Sequence, residues 1–412
     1  MSDNSAPQER FQVSQLLYDT RYRSYTIQVF ALIVFAAFVA WLVNNTLQNL
    51  ASAGKTLDFG FLLSTAGYEI NQVLLPYGPD STHLRAALVG LANTLLVAVL
   101  GCITATVIGT FVGILRLSRN WLIARLMGLY VEMFRNVPVL LWILLAMAIL
   151  TELLPSPRDF RGDEPAAEMI LSDSTAITNR GVYVPLPELS RGIESDTAIN
   201  LNALAILFVL AASLYTSRQI RLRADRIQQA TGRRPTTWYW QVLVIFGPII
   251  VLLIALGFHF SYPELKGFNF KGGLRFRNSL IALWLALSLY TAAFIGEIVR
   301  GGIMAISKGQ SEAAQALGLR SSWIMRLIIL PQALRIIIPP VISEYQSLTK
   351  NTSLAIAVGY MDITGTLGGI TMNQTGRELE TILLLMLAYL SISLSISAGM
   401  NVYNSRVKLV ER

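Results

Sequence analysis

Long apolar runs separated by short polar stretches dominate this chain. They recur near 27–45, 87–115, 138–154, 201–217, 240–260, 279–299, 336–358 and 380–400. A helix needs about 20 mostly apolar residues to cross a bilayer. The runs at 138–154 and 201–217 are short, and 336–358 carries several polar groups. Backbone groups in hydrocarbon must bond internally, so each run predicts a helix. The pattern therefore predicts an all-α integral membrane protein with about eight transmembrane helices. The first run follows 26 hydrophilic residues and lacks a small-residue cleavage site. That pattern predicts a retained anchor rather than a signal peptide. Composition agrees: 53% of the 412 residues are hydrophobic and 14% charged, against roughly 25% charged in soluble domains.

The distribution of Lys and Arg sets the expected orientation. With the N-terminus inside, 21 of the 33 basic residues fall on the cytoplasmic side and 11 on the opposite side, leaving Lys350 within a span. Both ends are therefore expected to be cytoplasmic. The loop 261–277 dissents, with four basic residues against Glu264. The net charge of +8 flanks apolar runs instead of clustering on a soluble domain, so the expected partner is membrane lipid and no nucleic acid.

Two segments outside the spans stand out. Residues 155–199 hold eight acidic residues, four arginines and five prolines, too polar a stretch to bury a core of its own. It is expected to be either a solvated loop or a docking surface for an external partner. Residues 218–234 carry six arginines and Asp225, a basic extension of the fourth span that serves as a topology anchor or as a lipid or partner contact.

Catalytic chemistry finds little footing. One cysteine, Cys102, excludes an internal disulfide, and two histidines, His83 and His259, leave no His-based metal centre. Gly54-Lys55-Thr56 imitates the end of a phosphate-binding loop, but the required glycine five positions earlier is Asn49. No nucleotide or metal site is expected in this chain, and the chain alone is not expected to be an enzyme. Gly109-x-x-x-Gly113 reads as a helix-packing motif.

The informative stretch is Gly309-Gln310-Ser311-Glu312-Ala313-Ala314-Gln315-Ala316-Leu317-Gly318, continuing to Ile328-Ile329-Leu330-Pro331. Ser311 is expected to cap a short helix, and Glu312 to sit in its first turn. Gly318 is expected to end that helix in the left-handed conformation. The outward face would be small: Ala313, Ala314, Ala316 and Leu317. A second apolar helix from Trp323 is expected to run back to the membrane and end before Pro331.

This spacing, E-A-A, three residues, G, nine residues, I-x-L-P, resembles the signature of the membrane subunits of ATP-binding-cassette importers. The flanking text is similar to the polar amino-acid branch: Asn93-Thr94-Leu95, the run from Tyr130 to Pro138, the run from Ala292 to Ile303, Leu330-Pro331-Gln332-Ala333-Leu334-Arg335 and Lys350-Asn351-Thr352-Ser353-Leu354. Together with its length, this makes the chain resemble the paired permeases of general L-amino-acid importers of Gram-negative bacteria.

The resemblance implies a type I importer permease core with an inserted segment, in the bacterial inner membrane. The organisation expected is a cytoplasmic tail 1–26, an anchor 27–45, a periplasmic loop 46–86 and a first core part 87–142. An insertion 143–277 follows, with a periplasmic loop 155–199, a basic cytoplasmic loop 218–239 and about two extra helices. The second core part is 278–400 with a coupling loop 300–335, and a tail 401–412 closes the chain. The implied partners are an ATPase dimer that carries ATP and Mg, a second permease subunit in a heterodimer and a periplasmic amino-acid-binding protein.

The implied coupling residues are Gly309, Gln310, Ser311, Glu312, Ala313, Ala314, Leu317 and Gly318. Ionisable groups inside a membrane are functional candidates by default. The substrate-path candidates are accordingly Glu297, Glu344, Lys350, Asn351, Thr352 and Ser353. Glu297 and Arg300, three apart, are alternatively a simple ion pair. Pro339-Pro340 is expected to kink the seventh span, as a gate hinge or as bundle shape. The rival function is an ion-gradient-driven secondary amino-acid transporter, which would show inverted repeats and need no ATPase.

Overall fold

The computed structural model describes residues 20–52, 54, 57–162, 164–192 and 201–407. Most of the expected cytoplasmic tail 1–26 and the end of the tail 401–412 lie outside the described residues. Among the described residues, eight helices are long and apolar enough to cross a membrane. The chain divides into two units, Met1–Phe61 and Leu62–Arg412.

Among the described residues, the first unit is mainly one helix, α1 (Thr20–Ser52). Its large apolar side chains are exposed, Phe30 by 66% and Trp41 by 59%. A helix apolar all round is a membrane span, in which lipid solvates what water would reject.

The second unit begins its helical core with α2 (His83–Leu115), whose first turn is capped by Thr82 Oγ1 accepting the Arg85 N–H at 3.3 Å. The amphipathic α3 (Trp121–Asn136) starts at Asn120, whose Oδ1 accepts from Leu122 and Ile123. The short α4 (Val139–Glu152) follows directly. The hairpin α5 (Leu201–Thr231) and α6 (Trp238–Ala255) comes next, packed mainly on itself. Then come α7 (Asn278–Met304), α8 (Lys308–Ala316), the single turn α9 (Ser321–Ile324) and α10 (Leu330–Asn351). A short α11 (Met372–Thr375) precedes the last span, α12 (Glu378–Val407).

The core is built on α2 against α7. A Cβ added at Gly109 would lie 2.8 Å from the Ala292 carbonyl oxygen, and one at Gly113 would lie 2.7 Å from that of Gly296. The Gly109-x-x-x-Gly113 pair is thus where two backbones touch, as small residues allow within a membrane. Around it Val97, Ala105, Leu283, Leu287, Ile295, Ile143 and Leu348 are completely buried. On the flank, Phe134 of α3 stacks on Trp142 of α4 at 4.2 Å, and the Tyr130 hydroxyl donates to the Leu289 carbonyl at 2.6 Å.

The all-α expectation holds for the spans and fails outside them. Seven short strands are described: β1 (Ala176–Thr178), β2 (Gly181–Val184), β3 (Leu186–Leu189), β4 (Phe258–Ser261), β5 (Glu264–Lys266), β6 (Asn269–Lys271) and β7 (Leu274–Phe276). They pair antiparallel as β1–β2–β7, β3–β4 and β5–β6. The stretch 155–192 is therefore not a separate solvated loop. It combines with 258–276 around buried Ala176, Tyr183 and Phe270, with Phe160, Met169 and Leu265 packed on them. Neither segment could bury this core alone. The last part of the expected loop, 193–200, lies outside the described residues.

The pairing has a topological consequence. Because β2 and β7 share hydrogen bonds, 155–192 and 258–277 lie on one side of the membrane, with α5 and α6 crossing and returning between them. Two of the four basic residues that made 261–277 a dissenting loop are used locally. Lys266 pairs with Glu264 at 2.7 Å. Arg275 donates to the Arg180 carbonyl at 2.8 Å and lies 5.5 Å above the Tyr183 ring. Val184 stands opposite Leu274 in the register, and directly paired antiparallel residues lie within disulfide reach. With Cys102 replaced by serine, Val184→Cys combined with Leu274→Cys is expected to oxidise to an intramolecular disulfide, seen as a mobility shift in non-reducing electrophoresis. Persistently free thiols would refute the pairing.

Candidate functional site

The connection between α7 and α10 forms a compact projection. After α7 ends at Met304, Ser307 is the first extended residue and serves as the N-cap of α8. The helix therefore starts earlier than expected. Ser311 lies inside it and caps nothing, and Glu312 falls in the second turn. The expected end does occur. Gly318 has φ +73, its N–H donates to the Gln315 carbonyl at 2.8 Å, and the Leu319 N–H donates to that of Ala314 at 3.2 Å. This paired bonding seals the helix end, and a side chain at 318 would cost about 1–2 kcal/mol.

Ala314 also departs from expectation. It is 2% exposed, turned toward the returning chain, whereas Leu317 is 80% exposed. The outward ridge is Gly309, Ala313, Ala316 and Leu317, with Gln310 and Glu312 exposed beside it and Ser311 half-buried. The return path does not stop before Pro331. A wide turn at Met325–Ile329, closed by the Leu330 N–H on the Met325 carbonyl, leads straight into α10. Pro331 sits at the start of that helix, where a missing N–H costs nothing. Pro339 and Pro340 lie inside α10, which continues through them to Asn351.

Glu297 takes the ion-pair alternative. Its carboxylate is held by Arg116, the C-cap residue of α2, and by Arg300, whose Nε donates at 3.2 Å. These contacts clamp α7 to the end of α2 eleven residues before α8 begins. Of the other path candidates, Glu344, Lys350 and Asn351 lie on α10, and Thr352 and Ser353 lie in the turn after it. Glu344 is half-buried and faces Arg135 of α3 and Tyr290 of α7, and the Arg135 guanidinium lies 5.3 Å from the Phe294 ring. Lys350 is six residues further, roughly 120° around the helix, and is exposed. Asn351 and Ser353 are half-buried. Thr352 is fully buried and donates to the Thr349 carbonyl at 2.8 Å. The structure does not bring Glu297, Glu344 and Lys350 together.

Sequence reading passed over Asp362 and Tyr389. Asp362, in the segment linking the seventh and eighth spans, is completely buried. Its carboxylate accepts the Gly365 N–H at 2.8 Å and the Tyr389 hydroxyl at 3.2 Å. The backbone around it is fastened to α2. Thr94 Oγ1 accepts the Ile363 N–H at 3.1 Å, the Asn93 amide donates to the Met361 carbonyl at 2.9 Å, and the Tyr360 hydroxyl donates to the Asn93 carbonyl at 3.2 Å. An aspartate among glycines and threonines signals a turn, and only the nearby Tyr360 hints at burial.

Burial pushes the Asp362 carboxyl up to about 6, opposed by the Gly365 N–H and the Tyr389 hydroxyl. The raised folded value means that the native state binds the proton more tightly than the unfolded chain. The resulting stability is complete below the unfolded value near 4 and is lost as pH rises through about 6. The melting temperature of the purified protein is therefore expected to rise as pH falls from 7 to 5, by the equivalent of about 1 kcal/mol, relative to Asp362→Asn. A constant difference between wild type and variant across that window would contradict this.

Comparison with known proteins now bears on the projection and the core. Residues 105–409 match the family described as the inner membrane component of binding-protein-dependent transport systems. The glutamate/glutamine/aspartate/asparagine transport system permease protein BztB of Rhodobacter capsulatus is 56% identical over 98% of each chain. The general L-amino acid transport system permease protein AapQ of Rhizobium johnstonii is 44% identical, covering 96% of this chain and 95% of its own. A putative amino-acid ABC transporter permease, YhdX of Escherichia coli, is 41% identical over 95% of each.

Proposed function

This chain belongs to the family of inner membrane components of binding-protein-dependent transport systems, and from that premise we propose how its parts work. It is the permease subunit of an ATP-driven importer of L-amino acids. It translocates substrate and leaves ATP hydrolysis to a separate subunit. The ion-gradient alternative is set aside, since the relatives named above are permeases of ABC and amino-acid transport systems.

The observation that carries the coupling mechanism is the sealed helix α8. It is nine residues long and presents a ridge of glycine, alanine and Leu317. A smooth, capped helix enters a groove closely without fraying, and exposed Leu317 supplies an apolar tip. We infer that each ATPase subunit receives this helix. ATP-driven closure of the two ATPase subunits displaces the helix, and the permease switches between its two facings as a bistable element. The Glu297 clamp to Arg116 and Arg300 makes α7 and α2 move as one body with α8. On this reading α8 and both termini face the cytoplasm, and the β-subdomain faces the periplasm.

The β-subdomain is the proposed contact for the external binding protein. Leu171, Ser172 and Asp173 all hold positive φ, near 55–58, and Leu171 is 74% exposed at the tip of this turn. Left-handed conformations cost non-glycine residues of order 1 kcal/mol each and persist where a function uses them. The second permease subunit is taken to be a sister of different sequence, and the substrate path to run along α10, past Glu344 on one face and Lys350 on the other.

Pull-down and ATPase assays on the membrane complex test this division of labour. Leu317→Asp combined with Glu312→Lys is expected to abolish ATP-driven uptake and to reduce ATPase co-purification at least tenfold, with membrane insertion intact. Leu171→Asp is expected to leave co-purification unchanged and to remove stimulation of ATP hydrolysis by the binding protein. Normal uptake by the first variant would overturn the coupling role, and normal stimulation in the second would overturn the docking role.

A further inference from the structure

Ser343, Ser347 and Lys350 recur along one face of α10 at the spacing of successive helical turns, and all three are exposed. The Ser343 and Ser347 hydroxyls donate back to the Pro339 and Ser343 carbonyls, but a lysine turned to hydrocarbon is costly, so this face looks toward protein or water. No acidic partner lies within ion-pair distance of Lys350 among the described residues. Lys350 occupies the last turn of α10, where the helix carbonyls favour a positive charge.

Beside this face a cavity of about 490 Å³ opens between α10, the turn after it and α12. Its polar lining is Lys350, Ser353, Thr364, Tyr389 and Ser393, and its apolar wall comes from α12, including Leu385. We propose that this cavity is a transport subsite for the backbone of an L-amino acid. The Lys350 ammonium takes the α-carboxylate, and the oxygens of Tyr389, Ser353 and Ser393 take the α-ammonium.

Tyr389, Thr364 and Ser353 are fixed by their surroundings. The Tyr389 hydroxyl donates to Asp362 at 3.2 Å and lies 3.0 Å from Thr364 Oγ1. Its proton is thereby directed into the buried carboxylate, which leaves a lone pair for a cation. The Ser353 hydroxyl donates to the Lys350 carbonyl at 2.8 Å, so its oxygen is also an acceptor toward the cavity. Gln346 Nε2 donates to the Ser393 carbonyl at 3.4 Å and ties α10 to α12 across the site. Asp362, outside the lining, acts as a positioning residue through Tyr389. One cationic pole, a cluster of oxygen acceptors and an apolar wall match what all L-amino acids share: carboxylate, ammonium and a variable side chain. The subsite rests on the import reading and specifies the substrate groups recognised.

The test uses the assembled permease–ATPase complex without binding protein or nucleotide. Equilibrium binding of radiolabelled L-glutamine is expected to weaken at least about tenfold in Lys350→Met and to return close to wild type in Lys350→Arg. Binding of 4-aminobutanamide, which lacks the α-carboxylate, is expected to be indifferent to both changes. Unchanged glutamine affinity in Lys350→Met overturns the subsite. A second measurement does not depend on that variant. Ser393→Cys in a Cys102→Ser background is expected to react with a small charged methanethiosulfonate, and L-glutamine is expected to slow the reaction. A thiol that does not react, or reacts without protection, overturns the proposal. ATP-driven uptake by the wild-type complex is measured in parallel. Its absence would refute the import reading itself, whereas its presence with insensitive Lys350→Met binding refutes only the subsite.

Discussion

The close approach of α2 and α7 is the constraint on which the rest of the molecule depends. Glycines at 109, 113 and 296 let the two backbones meet where side chains would hold them apart. Lipid offers no hydrophobic force to drive helices together, so this contact relies on dispersion and fit. Once α2 and α7 are joined, α4 and α10 pack against their faces. The Asn93–Thr94 pair on α2 anchors the turn after α10, and the Arg116–Glu297–Arg300 cluster closes the opposite end. Both ends of the working core are thus referenced to one rigid pair of helices.

That rigidity gives the projection at α8 its meaning. A helix sealed by Gly318, joined to α7 by a short link and clamped three turns earlier, moves with the core instead of flexing away from it. The same α2–α7 pair carries Asn93 and Thr94, which fasten the turn that holds Asp362 and, through it, Tyr389. On the coupling proposed above, displacement of α8 and reshaping of the Lys350–Tyr389 cavity are linked through this one rigid element.

The sequence was most legible where a single periodicity decided the structure. Eight apolar runs became eight membrane helices because hydrocarbon permits little else. Gly318 ended its helix because only glycine adopts that conformation cheaply, and the Gly109–Gly113 spacing led directly to a backbone contact. Legibility failed where partners are distant in the chain. Tyr183 and Phe270 share a small core from segments some 90 residues apart, which no local pattern links. The start of α8 was misplaced because the geometry after α7, more than the capping preference of Ser311, determines where the helix begins. Ala314 looked like part of the outer face until the returning chain was seen to cover it. Asp362 and Tyr389 were missed because a buried carboxylate among turn-forming residues looks like any surface turn until its partner on α12 is known.

The central claim is that this permease moves amino acids only when a separate ATPase drives it through α8. Uptake by the complete complex in proteoliposomes, with the external binding protein supplied, tests it most directly. With ATP inside and no ion gradient, accumulation is expected. With an imposed proton or sodium gradient and no nucleotide, none is expected. Sustained accumulation without ATP would contradict the account.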